Sequence, residues 1–284
     1  MSLPQSKPVF LLGLGAQKAG TTWLSQQLAE HPAYLNPPVK ELHYWDRRFH
    51  PKFFRADETP RLFDELYAEN KGMAFDSVHS ERLMMDRHEV YYRAYFERRL
   101  TPDHAAFGDF TPSYCILSAD ELRAIQNCMA GYRTKAIFIM RDPVERLWSQ
   151  CRMEWAKRQA RGKDFDPYQA FDNGVSNLKF WRRSNYRHTV TAIDQCFEED
   201  DRLYLFYDQL FEATTIDRAL DFAGLPDTKM PIIDNPNVGL TLEAPSTTAW
   251  RAAQTAHQDI YDFVSERFGD LPPTWRQSSS AFDG

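Results

Sequence analysis

The residues best suited to chemistry stand close together near the N-terminus. In "FLLGLGAQKAGTTWLSQQLAEHP", Phe10 to Pro32, an apolar run enters a loop holding Lys18, Gly20, Thr21 and Thr22, and a helix-like stretch follows. A strand, a glycine-bearing turn and a helix in that order gather backbone N–H groups at a helix N-terminus, where they attract an anion. Gly20 lets the chain turn tightly. The amides of Ala19, Gly20, Thr21 and Thr22 can converge on a phosphate, and the two threonines add hydroxyl donors. Two known phosphate loops do not fit. The fingerprint G-x-G-x-x-G starts at Gly13 and Gly15 but meets Lys18 at its third glycine. The Walker pattern G-x-x-x-x-G-K-[ST] matches Gly15 and Gly20 but has Thr21 where the lysine belongs. Lys18 precedes Gly20 by two residues and so reaches a ligand from another side. Further on, "KAIFIM" runs into Arg141 before Asp142. A magnesium-dependent NTPase wants a carboxylate at that strand end, whereas an arginine favours a second phosphate through its forked contact.

These residues need a scaffold that brings separate strand ends together. Val9–Leu14, Ala106–Phe110, Lys135–Met140 and Arg202–Tyr207 read as strands, the apolar ones as buried parallel strands. Helices are expected at Gly20–Glu30, Arg61–Tyr67, His88–Leu100, Ala119–Met129 and His188–Phe197. One more starts at Pro143, capped by Asp142, and runs to about Arg161. Thr215–Ala223 is closed by Gly224, and Trp250–Phe268 carries apolar residues at helical spacing. Gly162–Arg187 reads as a long loop or lid, Pro231–Pro245 as extended chain or loop, and Lys40–Phe54 is unassigned. Strands alternating with helices imply an α/β fold, a P-loop-like central parallel sheet flanked by helices, in a single domain spanning residues 1–284.

Composition narrows the function. Of 284 residues 43% are hydrophobic, enough to build a core without staples, and 17 prolines with a 14% aromatic share suit a loop-rich enzyme. The net charge of −6 argues against general nucleic-acid binding, so an anionic ligand needs a locally basic pocket. Cys115, Cys128, Cys151 and Cys196 show neither CxxC pairing nor zinc spacing, and reduced thiols in a cytoplasmic protein are expected. The N-terminal apolar run is too short to span a bilayer. No metal site, membrane partner or nucleic-acid partner is expected.

Several motifs together carry a family resemblance. "QKAGTTWL" resembles the 5′-phosphosulfate loop of the sulfotransferases that use 3′-phosphoadenosine 5′-phosphosulfate (PAPS). "IFIMRDPVERLWSQ" resembles their 3′-phosphate motif, in which a strand ends at an arginine and a serine follows eight residues later. "LYLFYDQL" and "FAGLP" resemble the family's third strand and the helix after it, so the likeness covers roughly residues 8–225. It implies PAPS as co-substrate, with Lys18 on the bridging and sulfuryl oxygens and Gly20, Thr21 and Thr22 on the 5′-phosphate. It places Arg141 and Ser149 on the 3′-phosphate, although Ser149 lies roughly 10 Å along its helix from Arg141 and needs the right tilt to share a ligand. Trp23 and Tyr207 match residues that contact adenine in the cytosolic branch, while core packing also suits both.

Sulfuryl transfer is an in-line displacement that needs a base near the acceptor hydroxyl and a cation at the leaving oxygen. "PVKELHYWD" resembles the "KExHFFD" segment of the Golgi-type heparan sulfate 3-O-sulfotransferases, whose glutamate is the base; that assigns the role to Glu41, with Lys40 beside it. His43 is the rival, and a structural hydrogen bond or ion pair is the alternative for each. "GDFTPSY" resembles "GEKTPxY" of the same branch, with Asp109 for the glutamate and Phe110 in place of the lysine, so Asp109 is a second carboxylate candidate. The Arg-Lys-Gly segment that closes the 3′-phosphate site in the cytosolic branch is absent, and Arg251 lies in that region. Tyr44, Trp45, Phe49, Phe53 and Phe54 suit either an acceptor wall or core. The function expected is transfer of a sulfuryl group from PAPS to a hydroxyl of a carbohydrate or small molecule. The alternatives are a P-loop nucleotide kinase or NTPase, and a non-catalytic protein that binds the desulfated nucleotide PAP.

Overall fold

The structure, a computed structural model, describes residues 7–53, 78–228, 230–234 and 242–275. In chain order it contains β1 (Val9–Gly13), α1 (Thr21–Ala29), β2 (Tyr34–Leu35), α2 (Tyr44–Phe49), α3 (Val78–Met85), α4 (Val90–Glu97) and β3 (Ala106–Phe110). There follow α5 (Ala119–Cys128), β4 (Arg133–Met140), α6 (Pro143–Gln159), α7 (Pro167–Gly174), α8 (Leu178–Trp181) and α9 (Tyr186–Asp194). The chain continues with β5 (Arg202–Phe206), α10 (Ala213–Phe222), α11 (Thr247–Ala256) and α12 (Gln258–Phe268). The expected helix at Arg61–Tyr67, and Phe54, lie outside the described residues.

The five strands form one parallel sheet in the order β2-β3-β1-β4-β5. β1 sits in the middle: Val9 faces Ala106 of β3 on one side and Arg133 of β4 on the other. Its Phe10, Leu11 and Leu12 are fully buried, as a strand covered on both faces requires. Beyond Gly13 the ladder to β4 continues, with Leu14 N–H on Ile137 O, Ile139 N–H on Gly15 O and Ala16 N–H on Ile139 O. The chain leaving β1 goes to β2 on one flank, while β4 lies on the other. β1 is therefore the point where the sheet's winding reverses, and the crevice beyond its carboxyl end is where such folds bind ligands.

Two expectations needed correction, and one unassigned stretch gained an element. Gly162–Arg187 is not one long loop: α7 and α8 occupy much of it, and α9 begins at Tyr186. Asp166 caps α7 by accepting from the amides of Tyr168 and Gln169, with Pro167 in the first turn. The Trp250–Phe268 pattern belongs to two helices, α11 and α12, broken at His257, whose ring Nδ1 lies 2.8 Å from Ala253 O. The unassigned Lys40–Phe54 stretch contains the short helix α2.

Two apolar clusters set the geometry. The larger fills both faces of the sheet. The smaller joins Val144, Leu147, Trp148 and Cys151 of α6 to Phe171 of α7 and Trp250 of α11, with Phe171 and Trp250 stacked at 5.8 Å. It fixes the outer face of α6, so the opposite face is free to line a site.

Candidate functional site

All five strands point their carboxyl ends at one cavity of about 220 Å³. Gln17, Lys18, Gly20, Thr21, Thr22 and Trp23 come from the loop after β1 and from α1, and Glu41 comes from the chain after β2. Pro112 follows β3, Arg141 follows β4 and Tyr207 follows β5. Helix α6 adds Ser149, Met153 and Lys157. Lys18, Glu41, Arg141, Ser149 and Tyr207, scattered over the sequence, thus line one cavity.

The loop after β1 turns through Lys18 and Gly20, at φ 70° and 85°. Glycine suits the second position, because its φ is left-handed and a Cβ there would stand 2.3 Å from Leu210 Cδ2. Ala19 departs from expectation: its side chain is fully buried and its N–H donates to Ala16 O at 3.2 Å. With the Ala19 amide engaged, Gly20, Thr21 and Thr22 are the ones left at the helix start, where N–H groups lack intrahelical partners and attract negative charge. Trp23 borders the cavity yet is only 1% exposed, with its Nε1 donating to Ile233 O and its ring edge-on to Phe211. It serves chiefly as core and offers a ligand little surface.

Arg141 is held from several sides. Its Nη1 donates to Lys18 O at 3.1 Å, its Nη2 pairs with Glu145, and its guanidinium lies 4.4 Å from the centre of the Tyr207 ring. Behind it, Asp142 Oδ1 accepts from the amides of Val144 and Glu145, and Asp142 Oδ2 accepts from Tyr261 on α12. Burial pushes the Asp142 carboxyl up to about 6. On α6, Glu145, Ser149, Met153 and Lys157 recur every four residues, one face of a helix. Sequence reasoning stopped at Ser149, and that spacing was the signal for Met153 and Lys157. Burial, and then the charges of Arg141, Lys157 and Arg152, depress the Lys18 amine, while Glu41 opposes them. The cavity is a basic pocket in an acidic chain. Arg251 is exposed on α11 and is not among the cavity residues.

Glu41 belongs to a chain of charges. Its Oε1 meets Lys40 Nζ at 2.8 Å, and its Oε2 lies 3.5 Å from His43 Nε2. His43 Nδ1 meets Asp46 Oδ2 at 2.6 Å, and Asp46 is fully buried. Burial works to lower the His43 pKa, but hydrogen bonds to Asp46 and Glu41 outweigh it and raise it to about 9. Burial likewise works to raise Glu41, and His43 and Lys40 overcome it, bringing the carboxyl to about 2. At neutral pH His43 is thus a cation between two carboxylates, a donor rather than a base. Among the described residues Lys18, Glu41 and His43 are the non-glycine positions with positive φ. Such backbone costs energy and clusters where side chains must be aimed.

Asp109 does not reach the cavity. It is 2% exposed and accepts from Tyr92, Thr111 and Tyr114, while Tyr114 Oη in turn accepts from the first amides of α2. It anchors the helix that carries Asp46. Phe110, in the expected lysine's place, is buried against Gly13, where any Cβ would overlap its ring. Tyr44 and Trp45 are buried core, and Trp45 stacks on Phe49. Asp46 and the buried Arg183, which bonds Gln17, were not singled out in the sequence. Among the described residues no His, Cys, Asp and Glu cluster could hold a metal.

A family model for the sulfotransferases matches residues 8–229. The chain belongs to the sulfotransferase family. No curated protein matches it. Among solved structures, a sulfotransferase from Alicyclobacillus acidocaldarius superposes with a TM-score of 0.64 at 15% identity, covering 95% of this chain and 99% of that one. The sulfotransferase domain of the Synechococcus PCC 7002 olefin synthase gives 0.53 at 16% identity, covering 96% and 98%. At such identities these structures establish the shared fold, and the family match supports sulfuryl transfer in general. No helix among the described residues of this sulfotransferase is long and apolar enough to cross a membrane.

Proposed function

We propose that this sulfotransferase uses PAPS as donor and a hydroxyl of a carbohydrate or small molecule as acceptor. The observation that carries the reading is the convergence of Lys18, the α1 N-terminus, Arg141 and Ser149 on the cavity that also contains Glu41. The amides and hydroxyls of Gly20, Thr21 and Thr22 would hold the 5′-phosphate, and Arg141 with Ser149 the 3′-phosphate. Tyr207, which carries the Arg141 guanidinium on its face, would border the base.

In the step itself the acceptor oxygen bonds to sulfur as the bond from sulfur to the 5′-phosphate oxygen breaks. PAP leaves with that electron pair, and Lys18 offsets the charge that grows on the leaving oxygen. Glu41 is ionised and takes the acceptor proton. His43, already protonated, orients Glu41 and is itself held by Asp46. A magnesium-dependent kinase would need a free carboxylate near Arg141; there Asp142 caps α6 and binds Tyr261, and Glu145 pairs with the Arg141 guanidinium.

The test is turnover of PAPS against a library of hydroxyl acceptors, with sulfated product detected by mass spectrometry. The wild type should form product, and Glu41→Gln should nearly abolish it while still binding PAP. Retained activity would move the base elsewhere, and PAP binding without transfer to any acceptor would favour the non-catalytic alternative.

A further inference from the structure

Gln17, immediately before Lys18, lines the cavity and has no task in the scheme above. Its Oε1 accepts from Arg183 Nη1 at 2.7 Å. A guanidinium only donates, so the amide orientation is fixed: oxygen toward Arg183, Nε2 away from it. Among the described residues Nε2 makes no hydrogen bond.

The support behind Gln17 is unusually well built for a cavity wall. Arg183 is 7% exposed and its Nη2 lies 3.4 Å from Ser113 Oγ, in the turn after β3. It stands between α8 and α9, a segment pinned by the fully buried Arg146 of α6, which donates to Ser184 Oγ, Gln150 Oε1 and Phe180 O. Burying guanidinium groups is costly unless their donors are satisfied. Here two in series hold one neutral amide beside Lys18. An amide N–H aimed into an anion-binding cavity recognises an oxygen without adding charge. The scheme above assigns the phosphate oxygens to the α1 amides and Arg141, which leaves the sulfuryl oxygens for Gln17, and Arg183 lies within electrostatic reach of Asp46 and Glu41.

We infer that Gln17 donates a hydrogen bond from Nε2 to a sulfuryl oxygen of the donor, and that Arg183 is the positioning residue that points it there. The inference rests on the PAPS reading above. PAP lacks the sulfuryl group, so the comparison of PAPS with PAP isolates this contact without any knowledge of the acceptor.

Dissociation constants for both nucleotides, measured by calorimetry, provide the test. Gln17→Leu should weaken PAPS about tenfold while PAP stays within about twofold, the size of one hydrogen bond to a charged group. Gln17→Glu, with a carboxylate facing the sulfuryl oxygens, should weaken PAPS further. Arg183→Met should reproduce the PAPS-selective loss and add nothing in the Gln17→Leu background; a merely structural role would weaken PAP as well. Gln17 is half-buried, so Gln17→Leu decides the matter even if Arg183→Met fails to fold. An unchanged ratio of PAPS to PAP affinity in Gln17→Leu overturns the assignment alone. Wild-type protein that binds neither nucleotide overturns it together with the donor reading.

Discussion

At Glu41 the balance of burial against neighbouring charge decides what the carboxylate can do. Held near 2 by His43 and Lys40, it stays ionised across the useful pH range. His43→Gln removes the cation that depresses it, so the acid limb of the rate profile should move up toward the ordinary glutamate value of about 4.3; an unmoved limb would mean that His43 does not control Glu41. The same substitution has a stability signature. The folded His43 pKa lies above its unfolded value, so its contribution is fully present below about 6.5 and is lost as pH rises through about 9. The melting-temperature gap between wild type and His43→Gln should therefore shrink from pH 6 to pH 10. Lys18→Ala should lower turnover more than PAP affinity, since PAP has lost the group on which Lys18 would act; equal losses would reduce Lys18 to a binding residue. Lys18, Glu41 and Arg141 were legible because their motifs are contiguous. Asp46 and Arg183 were not, because their roles depend on burial and on partners that only folding brings near.

The elements carry those side chains with unequal redundancy. Asp142 fixes the start of α6 through two amide bonds and ties it to α12 through Tyr261, one residue after Arg141. Asp142→Ala should cost about 1–2 kcal/mol of stability, the usual worth of an N-cap, and should weaken PAP binding by freeing Arg141; denaturant unfolding and calorimetry measure the two effects. Gly20→Ala should be worse for binding than for expression, because it distorts the turn at φ 85° against Leu210. Four of the five strands were readable as apolar runs, and β2, with its two residues, was too short to show any period. The α7–α8 region read as loop because its helices, of eight and four residues, are too short to stand out among the polar and aromatic residues around them. The α11–α12 break was hidden because both helices bury residues in a compatible phase, and only the His257 cap separates them.

On the scale of the molecule, an acidic chain builds a basic pocket by placing Lys18 and Arg141 at strand carboxyl ends, and Lys157 on α6, around one cavity. PAP affinity should fall as salt rises, because these charges act across distances comparable with a Debye length of about 8 Å at physiological ionic strength; salt-independent binding would contradict the electrostatic account. The parallel sheet follows from the alternation of strands and helices, and its winding reversal at β1 explains why residues so distant in sequence meet. The central claim, that this pocket is built for PAPS, is tested most directly by thermal unfolding with PAP and with ATP–magnesium. PAP at 100 times its dissociation constant should add about 2.7 kcal/mol of stability without any metal, and ATP–magnesium should add far less. A clear shift with ATP–magnesium and none with PAP would contradict the account.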